Sequence, residues 1–336
     1  MTIKTALITG ITGQDGALLA RYLLEQDYKI IAPTRLNPDK SKLKTLNIGT
    51  HPDIEFIVYQ KFCDFDAIIK QNLPDEIYHL AAMSHVGQSH QNPQQVFTVN
   101  THWTTLLLQA VAQSSPQTKF FFASSCEIFA SNISHRVTEN SIKQPNNPYG
   151  ISKLAAHLMV QYYRKVNSIF ACNGILFNHE SKIRDDSFVS KKICKEVARI
   201  VKHGGEPLFL GNIAAKKDWG YAADYVRIFH SMLQQNSADD YVIATGVLHS
   251  VKDMVNCAFA ALDYTITWHG EGPDITATNA KGKVVVAINP KFFRPLDNRF
   301  LCGDSTKAQQ TLGFNQITPF ADWVQSMVLA EYQKPA

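Results

Sequence analysis

Three observations predict an α/β fold for this chain. Short apolar runs rich in β-branched and aromatic residues alternate with stretches of helical spacing, a glycine-rich turn follows the first run, and the alternation loosens past about residue 176. Strands alternating with amphipathic helices build βαβ units on a parallel sheet. The expected architecture is a doubly wound parallel sheet over residues 1–175, followed over 176–336 by a smaller α/β lobe that returns some segments to the sheet.

Each element has its own signal. "TALITG" reads as a strand, "GALLARYLLEQD" as a helix, and "KIIAPT" and "EFIVYQ" as strands. "DAIIKQNL" is helical, "EIYHLAA" a strand, "TLLLQAVAQ" a helix and "KFFFASS" a strand. Beyond residue 176, "PLFLG", "YVIATG", "TITWHG" and "KVVVAI" are strand-like, and "SVKDMVNCAFAAL" is a helix with Ser250 as its N-cap. The polar, glycine-bearing stretch 272–282 reads as a flexible loop.

Composition excludes several classes. The chain has 336 residues, enough for a sizeable core, with 45% apolar and 18% charged residues and a formal charge of +4. That balance does not suggest a nucleic-acid partner and suits an anionic small molecule. The six cysteines form no CxxC pair, so neither a zinc site nor a disulfide framework is expected, and no metal is assigned. "MTIKTALITG" is too short and too soon broken by glycine for a signal peptide, and no window approaches the roughly 18 apolar residues of a membrane span. A cytoplasmic protein with free thiols and no membrane partner is expected.

The segment "ITGITGQDGALLARYLL" sets Gly10, Gly13 and Gly16 between the first strand and the first helix. Glycines there permit a tight turn and close approach of a pyrophosphate, which the helix N-terminus then meets with N–H groups and its positive dipole end. The GxxGxxG spacing in this position predicts a Rossmann-type dinucleotide site. At the end of the second strand, where an acidic residue would hold the ribose hydroxyls of NAD, the chain has Thr34-Arg35. A cation there favours NADP, the alternative being a solvated surface arginine. Asp64, after the third strand, is placed to reach the adenine amino group.

"NNPYGISKLAAHLMVQYY" carries Tyr149 and Lys153 at YxxxK spacing, on one face of a helix. An ammonium beside the phenol is expected to lower it from its ordinary value of about 10, letting Tyr149 serve as a base toward an alcohol. Ser125, at the end of "KFFFASS", would hydrogen-bond the same oxygen. Glu127 is a further element: a carboxylate here suits an enzyme that removes a proton beside a new ketone and expels a neighbouring hydroxyl. The alternative is a salt-bridged or exposed glutamate. Cys126, on an extended segment, is expected to point away from its neighbours into the protein.

With these residues in place, the chain resembles the GDP-mannose 4,6-dehydratase family of extended short-chain dehydrogenase/reductases over nearly its whole length. The resemblance is carried by "GITGQDG", "LAAMSHV" (80–86), "FACNGILFNHES" (170–181), "LGNIAAKKDWGYAADYV", "DDYVIATG", "HGEGPD" and "KFFRP". It implies that the family's catalytic Thr, Glu and Tyr fall on Ser125, Glu127 and Tyr149, with Lys153 assisting. It implies cofactor contacts from Gly10, Thr12, Gly13, Gln14, Asp15 and Gly16, from Arg35, Asp64 and Phe65, from Leu80, Ala81, Ala82 and Ser84, and from Lys153, His179 and Arg184. For the nucleotide sugar it implies Ser84, Asn178, Val189, Lys192, Gly211, Lys217 and Arg294. It also implies a homodimer or homotetramer. The chain departs from the family pattern at Ser125-Cys126-Glu127-Ile128-Phe129-Ala130, at Leu36 and Gln95 near the cofactor, and at Gln91 near the expected sugar. It departs again in "SKIRDD" (181–186), where the family builds part of a tetramer contact, and at Lys217, which stands for an arginine.

The expected activity is an NADP-dependent GDP-sugar 4,6-dehydratase, a hydro-lyase. GDP-mannose would become GDP-4-keto-6-deoxymannose by internal hydride transfer from C4 to C6 with loss of water. The alternatives are the same reaction on another GDP-sugar (a heptose or an N-acetylhexosamine), a nucleotide-sugar epimerase or reductase, and a non-catalytic NADP-binding regulator.

Overall fold

The computed structural model describes residues 3–59, 64–129, 136–292, 300–315 and 317–334. The strands are β1 (Thr5–Thr9), β2 (Lys29–Thr34), β3 (Ile54–Val58), β4 (Glu76–His79), β5 (Lys119–Ser125), β6 (Ala171–Leu176), β7 (Asn178–Glu180), β8 (Leu208–Leu210), β9 (Lys216–Tyr221), β10 (Asp240–Ile243), β11 (Leu248–Ser250), β12 (Ile266–His269), β13 (Thr276–Asn279) and β14 (Val284–Ile288). Seven of them form the main sheet in the order β10-β6-β5-β4-β1-β2-β3, every neighbouring pair parallel. The order reverses between β1 and β4, and a sheet of this kind opens its ligand crevice at the carboxyl ends of the strands around that point.

The period-2 pattern explains why both faces of the sheet are covered. Ala6, Ile8, Ile30, Tyr78 and Phe121 face one core, which includes Leu19 and Leu23 of the Gln14–Leu24 helix and Phe229 of the Ala222–Leu233 helix. Their neighbours Leu7, Ile31, Ile77, Phe120 and Phe122 face the other, with Leu107 of the Trp103–Ser114 helix and Val160 of the Pro148–Val166 helix. A separate core gathers Ile193, Val197, Leu208, Met254, Phe259, Val286 and Trp323 from the second half of the chain.

Two smaller sheets complete the fold, β11-β9-β7 and β12-β13-β14-β8. Stretch 272–282, expected to be a flexible loop, instead holds a short 3-10 turn (Gly272–Asp274) and β13. Its polar composition conceals a strand whose Ala277 is fully buried against the second core. The Ser250 cap is as expected: Ser250 Oγ accepts from Asp253 N (3.0 Å) and Asp253 Oδ2 accepts from Ser250 N (2.7 Å), a reciprocal capping box.

Asp218, on β9 and first residue of "DWG", fastens the β11-β9-β7 sheet to the segment that follows β10 of the large one. Its buried carboxylate accepts from Thr245 N (2.9 Å), Thr245 Oγ1 (2.6 Å), Gly246 N (3.0 Å) and Gly303 N (3.1 Å). Replacing Asp218 by Ala strands two buried N–H groups, of Gly246 and Gly303, each costing about 1–3 kcal/mol, and the half-buried N–H of Thr245. Asp218→Ala is expected to lower unfolding free energy by at least about 2 kcal/mol, read as a lower urea midpoint at unchanged m-value.

Candidate active site

The carboxyl ends of the main strands open into a cleft of about 1920 Å³, well beyond the roughly 300–1,000 Å³ of a pocket for one drug-sized ligand. One end is the turn between β1 and the Gln14–Leu24 helix. Gly10 has φ +74°, and a Cβ there would lie 2.8 Å from Ala81 N. A side chain at Gly16 would collide with the Gly10 carbonyl. The three-glycine spacing therefore exists because backbone packs on backbone. Gly13 is the N-cap, and no side chain caps the helix, which leaves its first turn available to an anion. Gly10, Thr12, Gly13, Gln14, Asp15 and Gly16 all line the cleft, as do Leu80, Ala81, Ala82 and Ser84 after β4. At the end of β2, Arg35 lies on the wall beside Thr34, whose Oγ1 is buried without a hydrogen-bond partner.

A polar network ties the glycine turn to β7. Gln14 Nε2 donates to the His179 carbonyl (3.0 Å), and Ser181 Oγ donates to Gln14 Oε1 (2.9 Å). His179 Nδ1 faces the Phe177 carbonyl at 2.6 Å and its Nε2 faces Asp15 Oδ2 at 2.9 Å. Both neighbours are acceptors, so the site favours a doubly protonated imidazolium ring. Burial works against charge on either partner, but the ion pair outweighs it: Asp15 is held down at about 2 and His179 is raised above its ordinary 6.5. Asn178 and His179 line the cleft, with Arg184 against the Phe188 ring (3.5 Å) and 3.1 Å from Glu180 Oε2.

Ser125 ends β5, and Tyr149 and Lys153 lie on the first turns of the Pro148–Val166 helix. With Glu127 they meet on one wall of the cleft. The segment after Ser125 is not extended as expected: Cys126–Ile128 is a single 3-10 turn, and Ser125 Oγ caps it by accepting from Glu127 N (3.2 Å). Cys126 nevertheless goes inward, among Ile128, Phe129, Ile175 and Phe177. Asn147, for which no motif was assigned, joins this turn to the helix. Its Nδ2 donates to Glu127 Oε2 (2.9 Å) while its Oδ1 accepts from Gly150 N (2.8 Å). An Asn immediately before Pro at a helix start is a capping signal, and this signal could have marked it.

The expected drop in the Tyr149 pKa is absent. Burial pushes the phenol up, helped by Cys126 and Glu127 and opposed by Ser125 and Arg184. Lys153 donates to the Ala123 carbonyl (2.8 Å), and its Nζ stands 6.0 Å from the Tyr149 ring centre. Burial brings it down to about 7 despite the field of Asp15. The i, i+4 spacing puts the pair on one face, but desolvation, which sequence does not display, governs both charges.

Val189, Lys192, Gly211 and Lys217 line the far end of the cleft. Lys192 is fixed there by the Phe209 carbonyl (2.7 Å) and the Phe292 ring (4.1 Å). Phe65 is not on the cleft wall: its ring is buried, 5.2 Å from that of Tyr59. Arg294 and the side chain of Asp64 lie outside the described residues. Gln95 lines the cleft, whereas Gln91 is exposed outside it, the wall at that level being His85, Val86, Gly87 and His90. In 181–186, Asp185 Oδ1 accepts from Ser187 N (3.0 Å) and Asp186 pairs with Lys195, so both carboxylates of the segment find local partners.

A family profile described as GDP-mannose 4,6 dehydratase matches residues 7–327. The chain belongs to the GDP-mannose 4,6-dehydratase family. Relatives bearing the name GDP-mannose 4,6-dehydratase include proteins of Drosophila melanogaster (37% identical, covering 98% of this chain and 86% of the relative), Homo sapiens (37%, 98% and 92%) and Sinorhizobium fredii (38%, 97% and 95%). Among solved structures, UDP-glucose 4-epimerase of Thermotoga maritima superposes with TM-score 0.80 at 21% identity over 98% of each chain. UDP-glucuronic acid 4-epimerase of Bacillus cereus, in complex with UDP-glucuronic acid and NAD, gives 0.79 at 18% over 98% and 99%. The epimerases share the fold with this GDP-mannose 4,6-dehydratase family member. No helix among the described residues is long and apolar enough to cross a membrane.

The Asp15–His179 pair gives the family member's fold a pH signature. His179 titrates above 6.5 when folded, so its contribution is complete below that value and is lost as pH rises through the folded pKa; Asp15's is complete above 3.8 and lost as pH falls toward about 2. The destabilisation of His179→Gln relative to the unaltered protein is therefore expected to be largest between about pH 4 and 6.5 and to shrink at higher pH. Urea unfolding across that range measures it.

Proposed function

We propose that this chain converts GDP-mannose to its 4-keto-6-deoxy derivative with loss of water, using a tightly held NADP. The observation that carries the reading is a carboxylate, Glu127, on the same cleft wall as Ser125, Tyr149 and Lys153. An alcohol dehydrogenation needs the last three; an elimination beside the new ketone needs the fourth.

The residues present fit a dinucleotide. Backbone-on-backbone packing at Gly10 and Gly16 and the uncapped first turn suit a pyrophosphate. The unpartnered Thr34 Oγ1 beside Arg35 suits the adenosine ribose and a 2′-phosphate, which favours NADP over NAD. When bound, the dinucleotide supplies the reversible two-electron chemistry between an alcohol and a ketone.

The chain's own groups do the rest. Tyr149 accepts the proton of the sugar's 4-hydroxyl in its phenolate form, and Ser125 hydrogen-bonds the same oxygen. Lys153, brought to about 7 by burial, favours that phenolate through its field when it carries its proton. The ketone at C4 acidifies the C5–H bond, Glu127 takes that proton, and the 6-hydroxyl leaves as water carrying a proton returned by Glu127. Asn178, Lys192 and Lys217 line the far end, where donors and cations suit a diphosphate. A homodimer is supported by Ile151, Leu158, Tyr162 and Val166, which are exposed at 47–58% along one face of the Pro148–Val166 helix.

The test is mass analysis after incubation with GDP-mannose and NADP. Loss of one water without net cofactor reduction is expected; an unchanged sugar would contradict the reading, and turnover of a different GDP-sugar would redirect it. Glu127→Gln is expected to cut product formation by about 10²–10⁴-fold while reduced cofactor still accumulates in a single turnover. A fully active Glu127→Gln would remove the role given to this residue.

A further inference from the structure

We propose that Asn147 is the positioning residue that makes Glu127 enter the reaction as a base. This rests on the function proposed above. Asn147 is 2% exposed and sits at the N-cap of the helix that carries Tyr149 and Lys153. Its amide has one acceptor oxygen and one donor nitrogen, and the structure fixes which is which. Gly150 N is a donor, so the atom it meets at 2.8 Å is the oxygen Oδ1. The NH₂ group must then face the other way, where both of its neighbours are oxygens: Glu127 Oε2 at 2.9 Å and Asn146 Oδ1 at 3.4 Å. The helix cap thereby forbids the amide flip that would offer Glu127 an acceptor.

A carboxyl group held this way can accept at Oε2 but has no reason to place a proton there. The amide anchors Oε2 by a charge-assisted hydrogen bond and so fixes the orientation in which the carboxylate meets the C5 proton. Gly150 sets the distance. A side chain at Gly150 would collide with the Glu127 carbonyl, so the helix start and the Cys126–Ile128 turn are in direct backbone contact. Glu127, Tyr149 and Lys153 are thus referenced to a single junction, and Asn147 is the side chain that bridges it.

Asn147→Asp tests the idea with little structural disturbance, because Asp caps helices as well as Asn does. It retains the acceptor for Gly150 N, removes the donor to Glu127 and sets a second carboxylate against it. Cys126 and Tyr149, which lie beside Glu127, are unchanged. Two readouts apply to the NADP-loaded protein. The ¹³C carboxyl titration of labelled glutamate, with Glu127 assigned by its absence in Glu127→Gln, is expected to move to higher pH in Asn147→Asp. In single turnover with GDP-mannose, reduced cofactor is expected to form while water loss slows roughly 10²-fold near pH 7 and its acidic limb moves to higher pH. Asn147→Ser, which also caps, replaces the Asp variant if that does not fold, and is expected to slow water loss in the same way. An unmoved Glu127 titration, or water loss with the unaltered rate and limb, overturns the proposal. If the unaltered protein loses no water from GDP-mannose, the function reading fails, while the titration still decides the role of Asn147.

Discussion

Gly150 lies so close to the Glu127 carbonyl that no side chain fits between them, and Asn147 closes the remaining gap with one hydrogen bond to each side. This contact joins the carboxyl end of β5 to the amino end of the Pro148–Val166 helix. Everything on the reactive wall is measured from it. Ser125 lies two residues before Glu127, and Tyr149 and Lys153 lie on the first turns of the helix, the lysine held by the Ala123 carbonyl of the same strand. A parallel sheet delivers its strand ends to one edge for topological reasons; this junction turns one such end into a defined constellation.

Burial sets the electrostatic state of that wall. Burial disfavours the charged form of both groups, the Tyr149 phenolate and the Lys153 ammonium, and brings Lys153 to about 7. Beyond the Glu127 carboxylate, the charges lining the cleft beside the glycine turn are the Asp15–His179 pair and Arg184. A dinucleotide lying along the glycine turn would touch that bank, and a sugar reaching across would touch Tyr149 and Glu127. The cleft thus sets a charged bank beside the glycine turn against a desolvated wall at the end of β5.

Much of this was legible in the chain. The alternation of "TALITG", "KIIAPT", "EIYHLAA" and "KFFFASS" with helices gave a parallel sheet because strands buried on both faces must read as continuous apolar runs. Gly10 and Gly16 were legible because only glycine permits their contacts, and Tyr149 and Lys153 because helical spacing is a local property. What sequence hid was three-dimensional. Cys126 turns inward through a 3-10 turn rather than by strand alternation. Phe65 carries its ring into the core, and β13 lies concealed in polar residues. The upward shift of Tyr149 depends on desolvation by groups distant in the chain, and Asn147 acquires its meaning only when Glu127, twenty residues earlier, is folded against it.

The central claim is that the oxidation at C4 and the elimination from C6 occur at one site without net exchange of reducing equivalents. Turnover of GDP-mannose labelled with deuterium at C4, followed by mass spectrometry and NMR of the product, tests it most directly. The account predicts a dehydrated product with the deuterium at C6. Dehydrated product lacking the label at C6, or label retained at C4 of an unchanged or epimerised sugar, would contradict it.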